Sequence, residues 1–268
     1  MPKFFITSDI HSFYTPLKKA LDEVGFDQNN DEHWLVVCGD CFDRGDESEK
    51  VLHFLMSLKR KILVKGNHDI LLDECCMREY PYSHDTSNGT RKTIQDLGGT
   101  GYGRPFDECC RITWNKLARY RELLVNYFET QNYIFVHSWI PTDVEFEENC
   151  APRYLKGKTT WMEDWRSAND TEWEEAMWGN PFDKHISNLN QTGKTIVFGH
   201  WHCSTGHKIL GHCESEFDED VIWEPCYAEG IIGIDRCTAH TGECNVIVIE
   251  DEFNSEWVEY HRDIVSFN

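Results

Sequence analysis

Trp34-Leu35-Val36-Val37-Cys38-Gly39-Asp40-Cys41-Phe42-Asp43-Arg44-Gly45 is the stretch on which the reading of this chain turns. Its first five residues are apolar and mostly β-prone, the composition of a strand buried on both faces. The apolar run stops at Gly39, and Asp40, Asp43 and Arg44 follow at once. Open α/β sheets place their sites just beyond the carboxyl ends of strands. Downstream, Glu47 to Lys61 carries Val51, Leu52, Phe54, Leu55 and Leu58 on one side of a predicted helix, and Lys61 to Lys65 reads as the next strand. Upstream, Lys3 to Thr7 reads as a strand, and Tyr14 to Val24, with Leu17, Leu21 and Val24, as a helix. Strand–helix–strand–helix–strand predicts parallel strands joined by right-handed crossovers.

The same arrangement recurs along the chain. Asp9-Ile10-His11 follows the first strand and Gly66-Asn67-His68-Asp69 the third. His137 follows a predicted strand at Tyr133 to Val136, and Gly199-His200-Trp201-His202 follows one at Thr195 to Phe198. Asp9 and His11 flank one residue, as do His200 and His202, so in extended backbone each pair shares a face. Carboxylate, amide and imidazole donors together suit Mn²⁺, Fe or Zn²⁺ better than Ca²⁺ or copper. A lone Asp-X-His or Gly-His is explained by chance or a capped loop. Five such blocks in order, each after a strand, are not. His33, His53, His84, His185, His240 and His261 lack that context and read as ordinary surface or core residues.

Composition narrows the field. The 268 residues allow one large domain or two small ones, and no Pro/Ser linker divides them, so a single domain over 1–268 is expected. Lys plus Arg is 26 and Asp plus Glu 47, a net charge of −21 that opposes an extended nucleic-acid track or an anionic membrane surface. No apolar run approaches the ~18–20 residues of a membrane span, and the apolar start is too short for a secretory signal, so a cytoplasmic location is expected. In that setting the 12 cysteines read as free thiols. Asp-Glu-Cys-Cys occurs twice, ending at Cys75-Cys76 and Cys109-Cys110, and both pairs read as packing residues. Cys203, His207, His212 and Cys213 have the donors of a tetrahedral zinc site, but their spacing fits no zinc pattern. In the middle, Ser83 to Lys92 reads as a loop, Leu97 to Gly103 as a glycine-rich turn and Phe106 to Leu124 as one or two helices. Residues 141–180, rich in Trp and acid, read as a lid-like insertion. Ile231 to Ile234 and Val246 to Ile249 read as strands joined by a turn at Thr241-Gly242.

The blocks Asp9-Ile10-His11, Gly39 to Gly45, Gly66-Asn67-His68-Asp69, His137 and Gly199-His200 resemble the calcineurin-like metallophosphoesterases, and within them the phosphoprotein phosphatase family. The nearest likeness is to small bacterial and phage serine/threonine phosphatases and to symmetrical diadenosine tetraphosphatases. It runs from residue 3 to about 250, weakest at 79–95, 140–190 and 205–228, and the seven-residue block at 39–45 is its most specific part. The resemblance implies an αββα sandwich, two mixed β-sheets flanked by helices. It implies two divalent ions (Mn²⁺, Fe²⁺/Fe³⁺ or Zn²⁺): Asp9 and His11 on the first, Asp40 bridging, and Asn67, His137 and His200 on the second. His202 matches a histidine of the wider superfamily that completes the first. Arg44 and Asn67 hold the substrate phosphate, His68 protonates the leaving group with Asp43 as its partner, and a hydroxide shared by the two ions attacks phosphorus directly.

Three departures bear on substrate choice. Ser12 stands where the family has glycine. Asn180, in Trp178-Gly179-Asn180, stands at the place of the second phosphate-binding arginine, leaving Arg166 or Arg153 to substitute or Arg44 to act alone. Residues 203–228 replace a short connection with a variable loop. The expected activity is a phosphomonoesterase acting on phosphoserine or phosphothreonine in proteins. The alternatives are a nucleotide hydrolase, acting on a diadenosine tetraphosphate, a cyclic nucleotide or a polynucleotide end, with Trp139, Trp161 or Trp165 stacking on a base, and a catalytically silent binding module. A phosphorylated protein or small phosphoester is thus the expected partner.

Overall fold

The computed structural model describes residues 1–99, 103–146 and 157–266. Its strands are β1 (Lys3–Thr7), β2 (His33–Cys38), β3 (Lys61–Val64), β4 (Leu124–Val125), β5 (Phe128–Glu129), β6 (Tyr133–Phe135), β7 (Thr142–Phe146), β8 (Gly157–Trp161), β9 (Thr195–His202), β10 (Cys226–Ala228), β11 (Ile231–Asp235) and β12 (Ile247–Glu250). Among the described residues they form two five-stranded sheets, β12-β1-β2-β3-β4 and β10-β11-β9-β6-β5, and a ribbon of β7 and β8. Each large sheet is mixed. In the first, β1 to β4 run parallel and β12 antiparallel to β1. In the second, β9 is parallel to β6 and β11, with antiparallel β5 and β10 at the edges.

Strand alternation explains the layers. Phe4, Ile6, Val36, Cys38, Ile62 and Val64 point from the first sheet toward Phe135, Val197, Ile232 and Ile234 of the second. Phe5, Leu35, Val37 and Leu63 point the other way, against the Tyr14–Glu23, Ser48–Ser57, Asn67–Arg78 and Phe106–Lys116 helices. Ile134, Ile196, Phe198 and Ile231 on the far face of the second sheet meet Trp165, Trp173, Met177 and Phe182. The result is the expected sandwich of two mixed sheets between helices.

Several local expectations are corrected. Residues 83–92 are not a loop: the Ser83–Ser87 and Thr90–Leu97 helices occupy most of that stretch. Their apolar signal is thin because only Thr90, Thr93, Ile94 and Leu97 of the second are buried. The Phe106 segment, by contrast, is the two helices allowed for, Phe106–Lys116 and Ala118–Glu122. β11 and β12 do not form a hairpin, because the chain crosses from one sheet to the other after the Thr238–Thr241 helix. Residues 100–102 of the glycine-rich turn and 147–156 of the insertion lie outside the described residues. Cys75, Cys76, Cys109 and Cys110 are free thiols in the core, as expected for packing residues. No helix of the described residues is long and apolar enough to cross a membrane.

Candidate metal centre

The ligand-type residues sit where the strands of both sheets end, and the backbone is bent hard there. Asp9, His11, Ser12, Asp40, Asp43, Arg44 and His200 all have φ between 48° and 76°. A side chain in that left-handed region costs ~1–2 kcal/mol, and such strain gathers at functional sites. Two glycines make the convergence possible. A Cβ on Gly39, at φ 85°, would lie 2.3 Å from His137 Nδ1, and one on Gly66 would lie 2.2 Å from Asp40 Oδ1.

Two groups of donors meet at Asp40. His11, Asp40 and His68 form one, and Asp40, His137 and His200 the other; within each, the candidate ligand atoms lie within 4.8 Å of one another. His11 Nε2 is 3.9 Å from Asp9 Oδ1 and 3.8 Å from Asp40 Oδ2, while His137 Nε2 is 3.5 Å from Asp40 Oδ1. Carbonyls orient both rings. His11 Nδ1 donates to Phe42 O and His137 Nδ1 to Cys38 O, each at 2.9 Å, which turns both Nε2 lone pairs inward. Asn67 Oδ1 is 2.7 Å from His137 Nε2, and His200 N donates to Asp9 Oδ2 at 2.9 Å.

His68 is tied differently. Its Nδ1 donates to Asp43 Oδ2 at 2.7 Å, and its backbone N–H donates to Asp40 Oδ1 at 3.0 Å. Burial alone would lower its pKa, but Asp40 and the bonded Asp43 outweigh that and hold it at about 8. Arg44 is exposed, and no carboxylate of the described residues pairs with it. Asn67 and His68 are buried, and Arg44 is close enough to His68 to act on its charge.

His202 stands apart from both groups. Its Nδ1 is 3.7 Å from Glu216 Oε1 and its Nε2 4.0 Å from Asp235 Oδ2. β9 and β11 lose register between Gly233 and Asp235, which turns the end of β9 away from the plain alternation that pairs His200 with His202. The second zinc possibility also fails to converge. His207 Nδ1 lies 3.0 Å from His212 Nδ1, but Cys203 Sγ donates to Gly233 O and Cys213 Sγ to Ser215 O. Trp139 and Trp165 are core residues and cannot stack on a base; Trp161 is half-buried against the same core.

Residues that sequence reasoning missed brace the centre. Thr90 Oγ1 donates to Asp43 Oδ2 at 2.6 Å, and Asp43 N donates to Thr93 Oγ1 at 3.0 Å. Asp69 accepts from Gly66 N and from Tyr120 OH, both at 2.8 Å. The signal for the threonines was a helical i, i+3 pair after Asn88-Gly89, in a stretch too polar to stand out.

Residues 2–204 match the sequence profile of the family described as calcineurin-like phosphoesterase. The chain belongs to that family. It is accordingly a phosphoric ester hydrolase, and family membership implies divalent metal ions. The phosphoesterase is 23% identical to the symmetrical bis(5'-nucleosyl)-tetraphosphatase of Coxiella burnetii (strain RSA 331), over 82% of this chain and 84% of that one. It is 42% identical to the protein of the same name from Proteus mirabilis over 69 residues, 25% of this chain and 24% of the relative. In fold it is similar to the cold-active protein-tyrosine phosphatase of a psychrophilic Shewanella, with TM-score 0.53 and 14% identity over 93% of this chain and 76% of that one.

The family's second arginine has no counterpart at Asn180 in the phosphoesterase. Asn180 Oδ1 accepts from Phe182 N at 3.0 Å and Asp183 N at 3.4 Å, capping the Pro181–Ile186 helix. Arg166 is held by Glu129 through Nε at 2.9 Å and Nη2 at 2.6 Å. Arg153 lies outside the described residues. Asn180→Ala is therefore expected to lower stability by ~1 kcal/mol through loss of the cap and to leave substrate KM within about twofold. Urea melts and steady-state kinetics check both, and a KM rise of tenfold would give Asn180 a hand on substrate after all.

Burial sets protonation here. Desolvation, with Arg44 nearby, pushes His11 well below the usual imidazole range, and burial beside His137 takes His200 down to about 3. Both rings are neutral donors at neutral pH. The carboxylates split: burial raises Asp9, while His137, His68, His11 and His200 outweigh burial at Asp40 and lower it. Burial also raises Asp69 to about 7 and raises Asp235. A carboxyl raised in the folded state contributes stability that is present below its unfolded value, ~4, and lost as pH climbs through the folded one. His11 and His200, lowered on folding, act with the opposite sign and cost stability below their unfolded value, ~6.5, whereas all these groups favour a cation as pH rises, so added Mn²⁺ is expected to raise Tm more at about pH 8 than at about pH 5. Equal Mn²⁺ increments at both would contradict this.

Proposed function

We propose that this phosphoesterase hydrolyses small nucleoside polyphosphates of the dinucleoside tetraphosphate kind through a two-ion centre. One observation carries the chemistry: two donor groups share Asp40, and His68, a member of the first, is bonded to Asp43. The tetraphosphatase names borne by relatives, one of them matched over 84% of its length, support the substrate class.

Asp9, His11 and Asp40 would hold one ion, and Asp40, Asn67, His137 and His200 the other; the donor set, the inward lone pairs and the two glycine cradles fit such ions. His202, facing Glu216 and Asp235, stays outside that set. The bound ions supply Lewis-acid activation of water and of the phosphoryl oxygens. Arg44 offers a fork of donors to the equatorial phosphoryl oxygens. His68, protonated and held through Nδ1 by Asp43, presents Nε2–H and gives that proton to the departing oxygen as its bond to phosphorus breaks. Asp43, itself held by Thr90, keeps the imidazole in that tautomer and stabilises its charge.

The test is product analysis with the Mn²⁺-loaded protein on diadenosine tetraphosphate, a phosphoserine peptide and a cyclic nucleotide. The expected product is the nucleoside diphosphate from the first. Rapid phosphate release from the peptide with the tetraphosphate untouched would overturn the nucleotide reading and favour a protein phosphatase.

A further inference from the structure

We propose that Phe217 and Trp223 form a stacking platform for the base of the nucleotide, a subsite that rests on the nucleotide reading above and deepens it. Three separated segments bring the rings together. His202 ends β9, Phe217 and Trp223 lie between the Cys203–Ile209 helix and β10, and His240 lies in the Thr238–Thr241 helix after β11. The Phe217 centroid is 5.8 Å from Trp223, 5.8 Å from His240 and 6.0 Å from His202. Trp223 is in turn 6.1 Å from His202 and 5.6 Å from His240.

None of these neighbours is stacked on Phe217. Its planes meet Trp223 at 57°, His240 at 84° and His202 at 83°, so none of these neighbours lies flat on it. Phe217 keeps 54% of its surface exposed. A phenyl more than half in water, with none of these rings stacked flat on it, can take a flat π partner, and stacking on a base needs no particular base. His202 follows His200 by two residues on the same strand, which sets the platform within a nucleotide's length of the centre.

Charge selects what lies there. Glu214, Glu216, Asp218, Glu219 and Asp220 share the segment with Phe217. That many carboxylates repel a second phosphoryl group and suit an uncharged ring whose exocyclic amino groups donate hydrogen bonds. The phosphate end of the same molecule belongs with Arg44, which is near enough to act electrostatically on His202.

The experiment compares the Mn²⁺-loaded native protein with Phe217→Ala and Phe217→Tyr. It measures kcat/KM on diadenosine tetraphosphate and on glycerol phosphate, which carries no ring, and binding of AMP against ribose 5-phosphate by calorimetry. Phe217→Ala is expected to lower the ratio of the two kcat/KM values ~10-fold or more, through KM, and to remove the preference for AMP; Phe217→Tyr is expected to keep both. An unchanged ratio in Phe217→Ala, with nucleotide still hydrolysed, overturns the platform and spares the nucleotide reading. A native protein that prefers AMP through Phe217 but hydrolyses no nucleotide keeps the platform and overturns that reading. A native protein with no preference for AMP overturns the platform outright.

Discussion

Asp40→Asn is expected to lower turnover about 10³-fold and to leave a folded protein that no longer retains two ions per chain. Asp40 is the residue common to both donor groups, 3.8 Å from His11 Nε2, 3.5 Å from His137 Nε2 and 3.9 Å from His68 Nε2. Asparagine keeps the shape and can still accept from His68 N, so the turn at Gly66 survives. What it removes is the one buried charge that faces four imidazoles. Several kcal/mol of charge stabilisation in the transition state, ~4, corresponds to about 10³ in rate. Metal analysis after dialysis, beside turnover under saturating Mn²⁺, measures both halves. A variant that holds both ions and keeps turnover within tenfold would remove Asp40 from the bridge.

The second large effect is at His68. His68→Ala is expected to cost ~10²–10⁴ in kcat on an alkyl phosphate, whose leaving oxygen needs a proton, and far less on p-nitrophenyl phosphate, whose leaving group departs as an anion. His68 also lies within ligand distance of His11 and Asp40, so two roles compete for it. The bond from its Nδ1 to Asp43 and its pKa near 8 favour the acid over the ligand, because a charged imidazole cannot bind a cation. Ion content should therefore be unchanged in the variant. Equal losses on both substrates together with loss of an ion would make His68 a ligand instead.

Much of the centre could be read from the chain because its chemistry rides on strand ends. Asp9, Asp40, Asn67, His137 and His200 each follow an apolar run, and Gly39 and Gly66 announce the close approach that the structure then uses. What escaped depended on contacts made across the fold. Asn180 looked like a lost arginine because its neighbours resemble that motif, yet its position before Pro181 is that of a helix cap. Trp139 and Trp165 carry the same letters as stacking residues, and only packing shows them in the core. Thr90 and Thr93 matter through Asp43, nearly fifty residues away, which no local pattern encodes. The partner of β12 was likewise a tertiary choice: its period fits either sheet, and β1 claims it.

That last pairing has a bearing on how the protein is made. β1 lies between β2 and β12, with Phe4 opposite Ile249 and Ile6 opposite Ile247. Asp9 and His11 follow a strand whose second neighbour, residues 247–250, is made long after it. Until that segment emerges, a nascent chain carries an open, apolar β edge, the kind of surface on which chaperones act. Completion of the sheet that carries Asp9 and Asp40 thus waits for residues 247–250, after every proposed ion ligand has been translated.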